Sequence, residues 1–177
     1  DIFKKKLEGM RISEDEATLF KGTLLIDLGK KYKEKNWTMQ IHIGAMRNNS
    51  KKMYEKLGAD HGFDSMDDFN YAPQISKLLN ILDYEDNLPK TVIYSLNGTK
   101  DNFMLATLAG DFQRAPYRGK VQFGAAWWFM DHKMGMIEQM DTLASVGVLP
   151  TFIGMLTDSR SFLSFPRHEY FRRLLCN

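Results

Sequence analysis

The sequence has a single cysteine, Cys176, and this excludes an internal disulfide framework. It has no apolar run long enough to cross a bilayer and no stretch typical of a secretory leader, so we expect no membrane partner and a reducing compartment, the cytoplasm. It also lacks an excess of charge of one sign, with 24 basic and 22 acidic residues. No basic stripe with interleaved aromatic residues is present, which excludes the usual nucleic-acid footprint.

The composition, 44% hydrophobic and 26% charged residues, is that of a globular domain with a substantial core. No glycine-rich phosphate fingerprint follows the first predicted strand, which argues against a dinucleotide-binding fold. The chain begins at Asp1 without a methionine and stops on the apolar face of a predicted helix. We therefore expect a fragment of a longer protein.

The hydrophobic pattern predicts a helical lead-in over residues 1–36 and four strand–helix units over 37–177. In the lead-in, Ser13 and Glu16 have the spacing of a capping box. The four strands are predicted over residues 38–44, 91–96, 120–129 and 151–157, and alternation in the first places Gln40 and His42 on one side. Helices are predicted over about 51–57 and 133–146, and another opens at Pro73 with an apolar face of Ile75, Leu78, Leu79 and Leu82. Regular alternation of this kind favours an α/β fold with a parallel sheet. Because a (β/α)8 barrel needs about 250 residues, four units correspond to half a barrel.

The carboxyl ends of parallel strands lie at one face, and polar or aromatic side chains follow all four predicted strands. They are His42, Arg47, Asn48, Asn49, Asn97, Trp127, Trp128, Asp158 and Arg160. Arginines suit a carboxylate, and a tryptophan suits the apolar face of a sugar ring. A histidine with a carboxylate suits proton transfer or metal ligation.

Each of these residues also has a structural interpretation. Asp158 and Arg160 could form an ion pair in a strand-to-helix turn, with Ser159 as the helix cap. His42 could be a hydrogen-bonded core histidine, and the two tryptophans could be core residues. The asparagines could be turn formers. The set as a whole favours a site more strongly than any member does.

Five segments together resemble one family. They are QIHIGAMRNN at 40–49, GFDS at 62–65, KVQFGAAWWF at 120–129, GMLTDSRSF at 154–162 and RHEYFRR at 167–173. They resemble the C-terminal half of uronate isomerase, also called glucuronate isomerase, within the amidohydrolase superfamily. The resemblance runs from residue 37 to residue 177, and the first 36 residues carry no matching motif.

The resemblance implies that the chain holds strands 5 to 8 of a distorted (β/α)8 barrel. It implies an aldose–ketose isomerase that interconverts D-glucuronate with D-fructuronate, and D-galacturonate with D-tagaturonate, through an enediol. Asp158 would then be a metal ligand and proton shuttle. The substrate would be held by Arg160 and Arg47, with Asn48 beside them, and His42 would contact the substrate or approach the metal. Family position favours Trp127 as the sugar-facing tryptophan, whereas strand parity favours Trp128.

The resemblance also implies a bound zinc or another divalent metal ion. The His-x-His pair that the family carries after its first strand is absent from this sequence, so we expect an incomplete site and no activity from the chain alone. The implied partners are a hexuronate substrate, the N-terminal half of the same protein and further copies in a homo-oligomer. The alternatives are a non-catalytic α/β structural or assembly fragment and a sugar-acid binding domain.

Overall fold

The computed structural model describes residues 1–156 and 161–177, and these divide into two compact units, Asp1–Met39 with Pro73–Lys90 and Gln40–Ala72 with Thr91–Asn177. The helices are α1 (Ile2–Leu7), α2 (Glu14–Glu34), α3 (Lys51–Leu57), α4 (Ala72–Tyr84), α5 (Gly98–Asp111), α6 (Lys133–Val146) and α7 (Arg167–Cys176). The strands are β1 (Thr38–Ile43), β2 (Ala45–Met46), β3 (Ser65–Met66), β4 (Lys90–Ser95) and β5 (Val121–Phe123). Short 3-10 turns occur at Trp128–Met130, Leu149–Thr151 and Phe162–Ser164. In the described part of the chain, no helix is both long and apolar enough to span a bilayer.

The first unit is helical, and local signals set its boundaries. The predicted capping box is confirmed at the start of α2. The Ser13 hydroxyl accepts from the Glu16 N–H at 3.1 Å, and the Glu16 carboxylate accepts from the Ser13 N–H at 2.9 Å. In α4, the predicted apolar stripe buries Ile75, Leu79 and Leu82.

The second unit is built on a three-stranded sheet with the order β1-β4-β5. β4 and β5 are parallel, with Val92 opposite Gln122. Residues 91–95 of β4 are all buried, as expected for a central strand that is covered on both faces. α5 packs against β5 and α6, and α6 also packs against α7. These observations confirm an α/β fold with parallel β/α units.

The strand predicted over 120–129 is found only in part. It corresponds to β5, which ends at Phe123. A Cβ on Gly124 would lie 2.3 Å from the Tyr94 ring, so the backbone passes closer to that ring than any other residue allows. The Gly124 carbonyl accepts a hydrogen bond from the Gln139 side chain of α6, at 3.1 Å. Trp128 then takes a positive φ of 49°, which is incompatible with an extended strand.

The predicted strand at 151–157 is wrong for residues 151–156, the part that the structure describes. Thr151 ends a 3-10 turn, and Gly154 has a φ of +84°, far from the β region. The Ile153 N–H donates to the side-chain oxygen of Gln122, in β5, at 2.7 Å. In a paired strand this N–H would donate to a backbone carbonyl instead. The division into a 1–36 lead-in and four strand–helix units therefore stays a prediction.

Candidate functional site

The sheet brings a histidine and a tyrosine together at one face. The His42 ring, from β1, stacks on the Tyr94 ring of β4 with centroids 4.5 Å apart and planes 13° apart. The Tyr94 hydroxyl donates to the Gln40 side chain at 2.9 Å. The alternation that was predicted for β1 places Gln40 and His42 on the same exposed side.

The segment after β5 completes an aromatic wall around His42. The Trp127 ring meets the His42 ring edge-on, with centroids 4.6 Å apart and planes 73° apart. Trp127 and Trp128 are in turn 5.8 Å apart. Strand parity does not decide between the two tryptophans, because the strand ends before either of them, and both face the same cavity.

This cavity, which we call the aromatic cavity, has a volume of about 540 Å³. Its lining residues are Gln40, His42, Tyr94, Ala125, Ala126, Trp127, Trp128, Asp131, Leu156 and Arg167. Flat aromatic faces beside a few polar groups suit a small polyol with an apolar face and many hydroxyl groups. The volume lies within the usual range for small-molecule sites.

Arg47 lies beside the cavity, and the long loop after β1 holds it there. Its Nη1 atom donates to carboxylate oxygens of Asp60 at 3.1 Å and of Asp64 at 3.0 Å. Its guanidinium carbon is 4.9 Å from the centre of the Trp128 ring, within cation–π distance.

Asp64 organises this loop. Its side chain is 6% exposed, and it accepts from the backbone N–H of Asn48 at 2.9 Å as well as from Arg47. Asn48 has a positive φ of 59°, so the loop turns sharply where Asp64 holds it. The motif containing Asp64 was recognised in the sequence, but its carboxylate was not assigned a role.

The other two predicted asparagines lie in structural positions. The Asn49 side chain donates to the Met46 carbonyl and to the Ser65 hydroxyl, both at 2.9 Å, which holds the β2–β3 pair together. The Asn97 side chain caps α5 by accepting from the Lys100 N–H at 3.3 Å. Neither asparagine lines the aromatic cavity.

Asp158 and Arg160 lie outside the described residues, so their predicted roles stay predictions. Among residues 1–156 and 161–177, no group of three or more histidine, cysteine, aspartate and glutamate side chains is arranged to hold a metal ion. Among the described residues, the ring contacts of His42 are with Tyr94 and Trp127. The described residues therefore do not form a metal site by themselves.

Two residues at the cavity wall were missed by the sequence analysis. Arg167, the first residue of α7, forms an ion pair through Nη2 with the Oδ2 atom of Asp131. The same Nη2 donates to the Asp131 backbone carbonyl at 3.3 Å. Asp131 stands four residues after Trp127, and Arg167 opens the RHEYFRR motif, so both lay within or next to segments that had been recognised.

A buried carboxyl group lies at the carboxyl end of β4. The Asp101 side chain accepts from the Ser95 hydroxyl at 2.5 Å, and Asp101 is only 1% exposed. Burial raises the pKa of Asp101, whereas the Ser95 hydrogen bond and the charge of Lys100 lower it by less. Asp101 does not line the aromatic cavity, and it joins α5 to the end of β4.

The glucuronate isomerase family profile matches residues 1–177, including the first 36 residues in which no motif had been recognised. The chain is 55% identical over 176 residues to the uronate isomerase of Clostridium acetobutylicum, a match that covers 99% of this chain and 38% of that protein. It is 54% identical over 177 residues to the Clostridium perfringens uronate isomerase, of which it likewise covers 38%. The chain thus spans well under half the length of these relatives.

Two solved structures have a similar fold. The uronate isomerase of Thermotoga maritima matches with a TM-score of 0.86 and 35% identity, over 98% of this chain and 37% of that one. The glucuronate isomerase of Caulobacter crescentus matches with a TM-score of 0.82 and 26% identity, over 98% of this chain and 35% of that one. Sequence and fold agree from one end of the chain to the other, and the chain belongs to the glucuronate isomerase family.

Proposed function

We propose that this chain acts as part of a uronate isomerase, an aldose–ketose isomerase that interconverts D-glucuronate with D-fructuronate and D-galacturonate with D-tagaturonate. The observation that carries the proposal is the aromatic cavity, in which His42 and Trp127 meet and beside which Arg47 is held. A histidine, a sugar-stacking ring and a guanidinium group are the side chains that a hexuronate isomerase requires.

The reaction moves a proton between two neighbouring carbons by way of an enediol. A base removes the proton from the carbon beside the carbonyl, and the same proton or another is returned to the former carbonyl carbon. His42 is the imidazole that lines the cavity, and Asp158 is the proposed proton shuttle. The Trp127 ring, set against His42, would hold the carbon skeleton of the sugar over the base.

Arg47 is suited to bind the substrate carboxylate because its ion pairs within the chain engage one edge of the guanidinium group. Among the described residues, its ion pairs with Asp60 and Asp64 are made through Nη1. The Nε–H and Nη2–H groups on the other edge of the guanidinium are left to form a two-point fork with a carboxylate. Asn48, next to Arg47 in the sequence, is a further proposed substrate-binding residue. Arg160 is the second proposed substrate-binding arginine.

In the proposed enzyme, β1, β4 and β5 provide strands 5 to 7 of a distorted (β/α)8 barrel, and the segment 151–156 occupies the place of strand 8 without forming a strand. The N-terminal part of the same protein provides the other strands, and copies associate in a homo-oligomer in the cytoplasm. A divalent metal such as zinc, with Asp158 as one ligand, would stabilise the enediol oxygen as a Lewis acid when bound. The described residues do not supply its site by themselves.

Two preparations test this function. The chain alone, given D-glucuronate and zinc, is expected to show no turnover, because the ligands that a metal site needs are missing. A chimera, in which this chain replaces the matching segment of the Clostridium acetobutylicum relative, is expected to convert D-glucuronate to a ketose. A soluble, folded chimera with no ketose product would refute the proposed function, and turnover by the chain alone would refute the incomplete site.

A further inference from the structure

The ion pair between Asp131 and Arg167 is placed at the wall of the aromatic cavity rather than on the surface. The Asp131 side chain is only 12% exposed, and both residues line the cavity with Trp127 and Trp128. Asp131 follows the Trp128–Met130 turn, and Arg167 comes from α7. The buried cluster of Met136, Met140, Met155 and Phe171 packs α7 against α6, which fixes the position of Arg167.

One oxygen of Asp131 is buried at a cost in stability. Its Oδ1 atom has no hydrogen-bond partner among the described residues, although it is shielded from solvent. A buried acceptor of this kind destabilises the fold, and such groups are concentrated where function requires them. The other oxygen of the same carboxylate, Oδ2, forms the ion pair with Arg167.

The nitrogen that Arg167 uses decides which ligand group it can bind. A guanidinium offers two forks for a carboxylate, one from Nε–H with Nη2–H and one from Nη1–H with Nη2–H, and both include Nη2. Asp131 occupies Nη2 through its carboxylate and its backbone carbonyl. Toward the other described residues the Nε–H and Nη1–H groups form no bond, and as separate donors each suits a single acceptor such as a hydroxyl oxygen.

We propose that Arg167 is a substrate-binding residue that donates single hydrogen bonds to hydroxyl oxygens of the hexuronate, and that Asp131 is the positioning residue that keeps Arg167 from binding the carboxylate. This inference rests on the proposed function and adds a contact to it. Arg167 recognises the hydroxyl groups, while Arg47, engaged through Nη1, is left to bind the acid.

Binding to the 177-residue chain tests the inference independently of turnover. Trp127 and Trp128 line the cavity and report binding by fluorescence. The two probes are D-glucuronate and D-glucuronamide, which have the same hydroxyl groups but differ in charge. Arg167→Met is expected to weaken the binding of both probes by about tenfold or more and by the same factor. Arg47→Met should weaken the binding of D-glucuronate only.

Further variants separate binding from structural support. Arg173→Met is the matched control, because Arg173 lies on the same helix but pairs with Glu169 on the surface. Asp131→Asn loosens the hold on Nη2, so it is expected to strengthen D-glucuronate binding relative to D-glucuronamide binding, and the double variant Asp131→Asn/Arg167→Met should lose this change in the ratio. Arg167→Lys, which keeps the charge, should bind both probes with intermediate affinity, and it carries the test if Arg167→Met does not fold.

Three outcomes would overturn the inference. The first is a loss that is confined to D-glucuronate in Arg167→Met, since Arg167 would then bind the carboxylate. The second is an Arg167→Met affinity equal to that of Arg173→Met. The third is the absence of binding of either probe by the unsubstituted chain. Turnover by the chimera decides the proposed function separately, so the two failures are distinguishable.

Discussion

At the scale of residues, Arg47 and Arg167 show how one side-chain type is given two different binding capacities. Acidic partners hold Arg47 through Nη1 and Arg167 through Nη2. The first arrangement leaves a two-point fork for a carboxylate, and the second leaves only single donors. The partner's position around the guanidinium therefore determines which kind of ligand group each arginine can bind.

Asp101 makes the stability of the fold depend on pH. Because burial raises its pKa above the ordinary 3.8, the folded state binds this proton more strongly than the unfolded state does. Its stabilising contribution is therefore complete below the unfolded pKa and is lost as the pH rises through the folded pKa. In Asp101→Asn this dependence is removed, so the variant should gain stability relative to the parent chain as the pH rises from 3.5 to 7.

Urea unfolding at a series of pH values, with both proteins measured side by side, checks this expectation. Asp111→Asn, at the exposed end of the same helix, is the control and should give a difference that does not vary in the same way. A pH-independent difference between Asp101→Asn and the parent chain would contradict the argument.

At the scale of elements, α6 determines where the tryptophans lie. Gln139 is 2% exposed and donates to the carbonyl of Gly124, the first residue after β5. This bond is made where the strand ends, and the residues that follow lead to Trp127 and Trp128 at the cavity. A helix side chain thus takes the place of a neighbouring strand as the partner of that carbonyl.

Gln139→Leu removes this hydrogen bond and leaves the Gly124 carbonyl buried without its partner. The free energy of unfolding is expected to fall by about 1–3 kcal/mol, the cost of an unsatisfied buried acceptor. Tryptophan emission should shift, because Trp127 and Trp128 follow the released segment. Glu138→Gln, at the neighbouring exposed position, should change stability by less than about 0.5 kcal/mol. Equal effects of the two substitutions would show that the bond carries no such role.

At the scale of the whole molecule, the chain corresponds to 38% of its curated relatives and leaves much apolar surface open. One such apolar face is on α2, where five large side chains are each at least 36% exposed. They are Leu19, Phe20, Leu24, Leu25 and Leu28. Contiguous apolar surface of this kind indicates that a further protein surface covers it.

The isolated chain is therefore expected to self-associate. Sedimentation velocity over a range of protein concentrations should show a weight-average sedimentation coefficient that rises with concentration. Leu24→Lys/Leu28→Lys, which places charges on the exposed face of α2, should reduce the rise. The matched control is Thr23→Lys/Asp27→Lys, which adds positive charge to the same helix and leaves the apolar side chains in place. A chain that sediments as a monomer at every concentration would contradict the expectation.

The sequence by itself determined the helices whose signals are local. The capping box at Ser13, α3 over residues 51–57 and α6 over residues 133–146 were all predicted within a residue or two, because caps and apolar stripes lie within a few turns of one another. It also determined the family, through motifs that the comparisons confirm over the whole chain. The parallel order of the strand–helix units also predicted that His42 and Trp127 lie at one face, and their rings are in contact.

Only the tertiary structure decided the extent of the strands and the partners of the charged groups. An apolar run such as 151–156 becomes a strand only if another strand pairs with it. Here Gly154 has a positive φ, and the Ile153 N–H bonds to the Gln122 side chain instead of to a strand backbone. Asp131 and Arg167 are 36 residues apart, and no periodicity links them. Which guanidinium nitrogen each arginine offers to a ligand depends on such distant contacts, and so the chemistry of the cavity is set by packing.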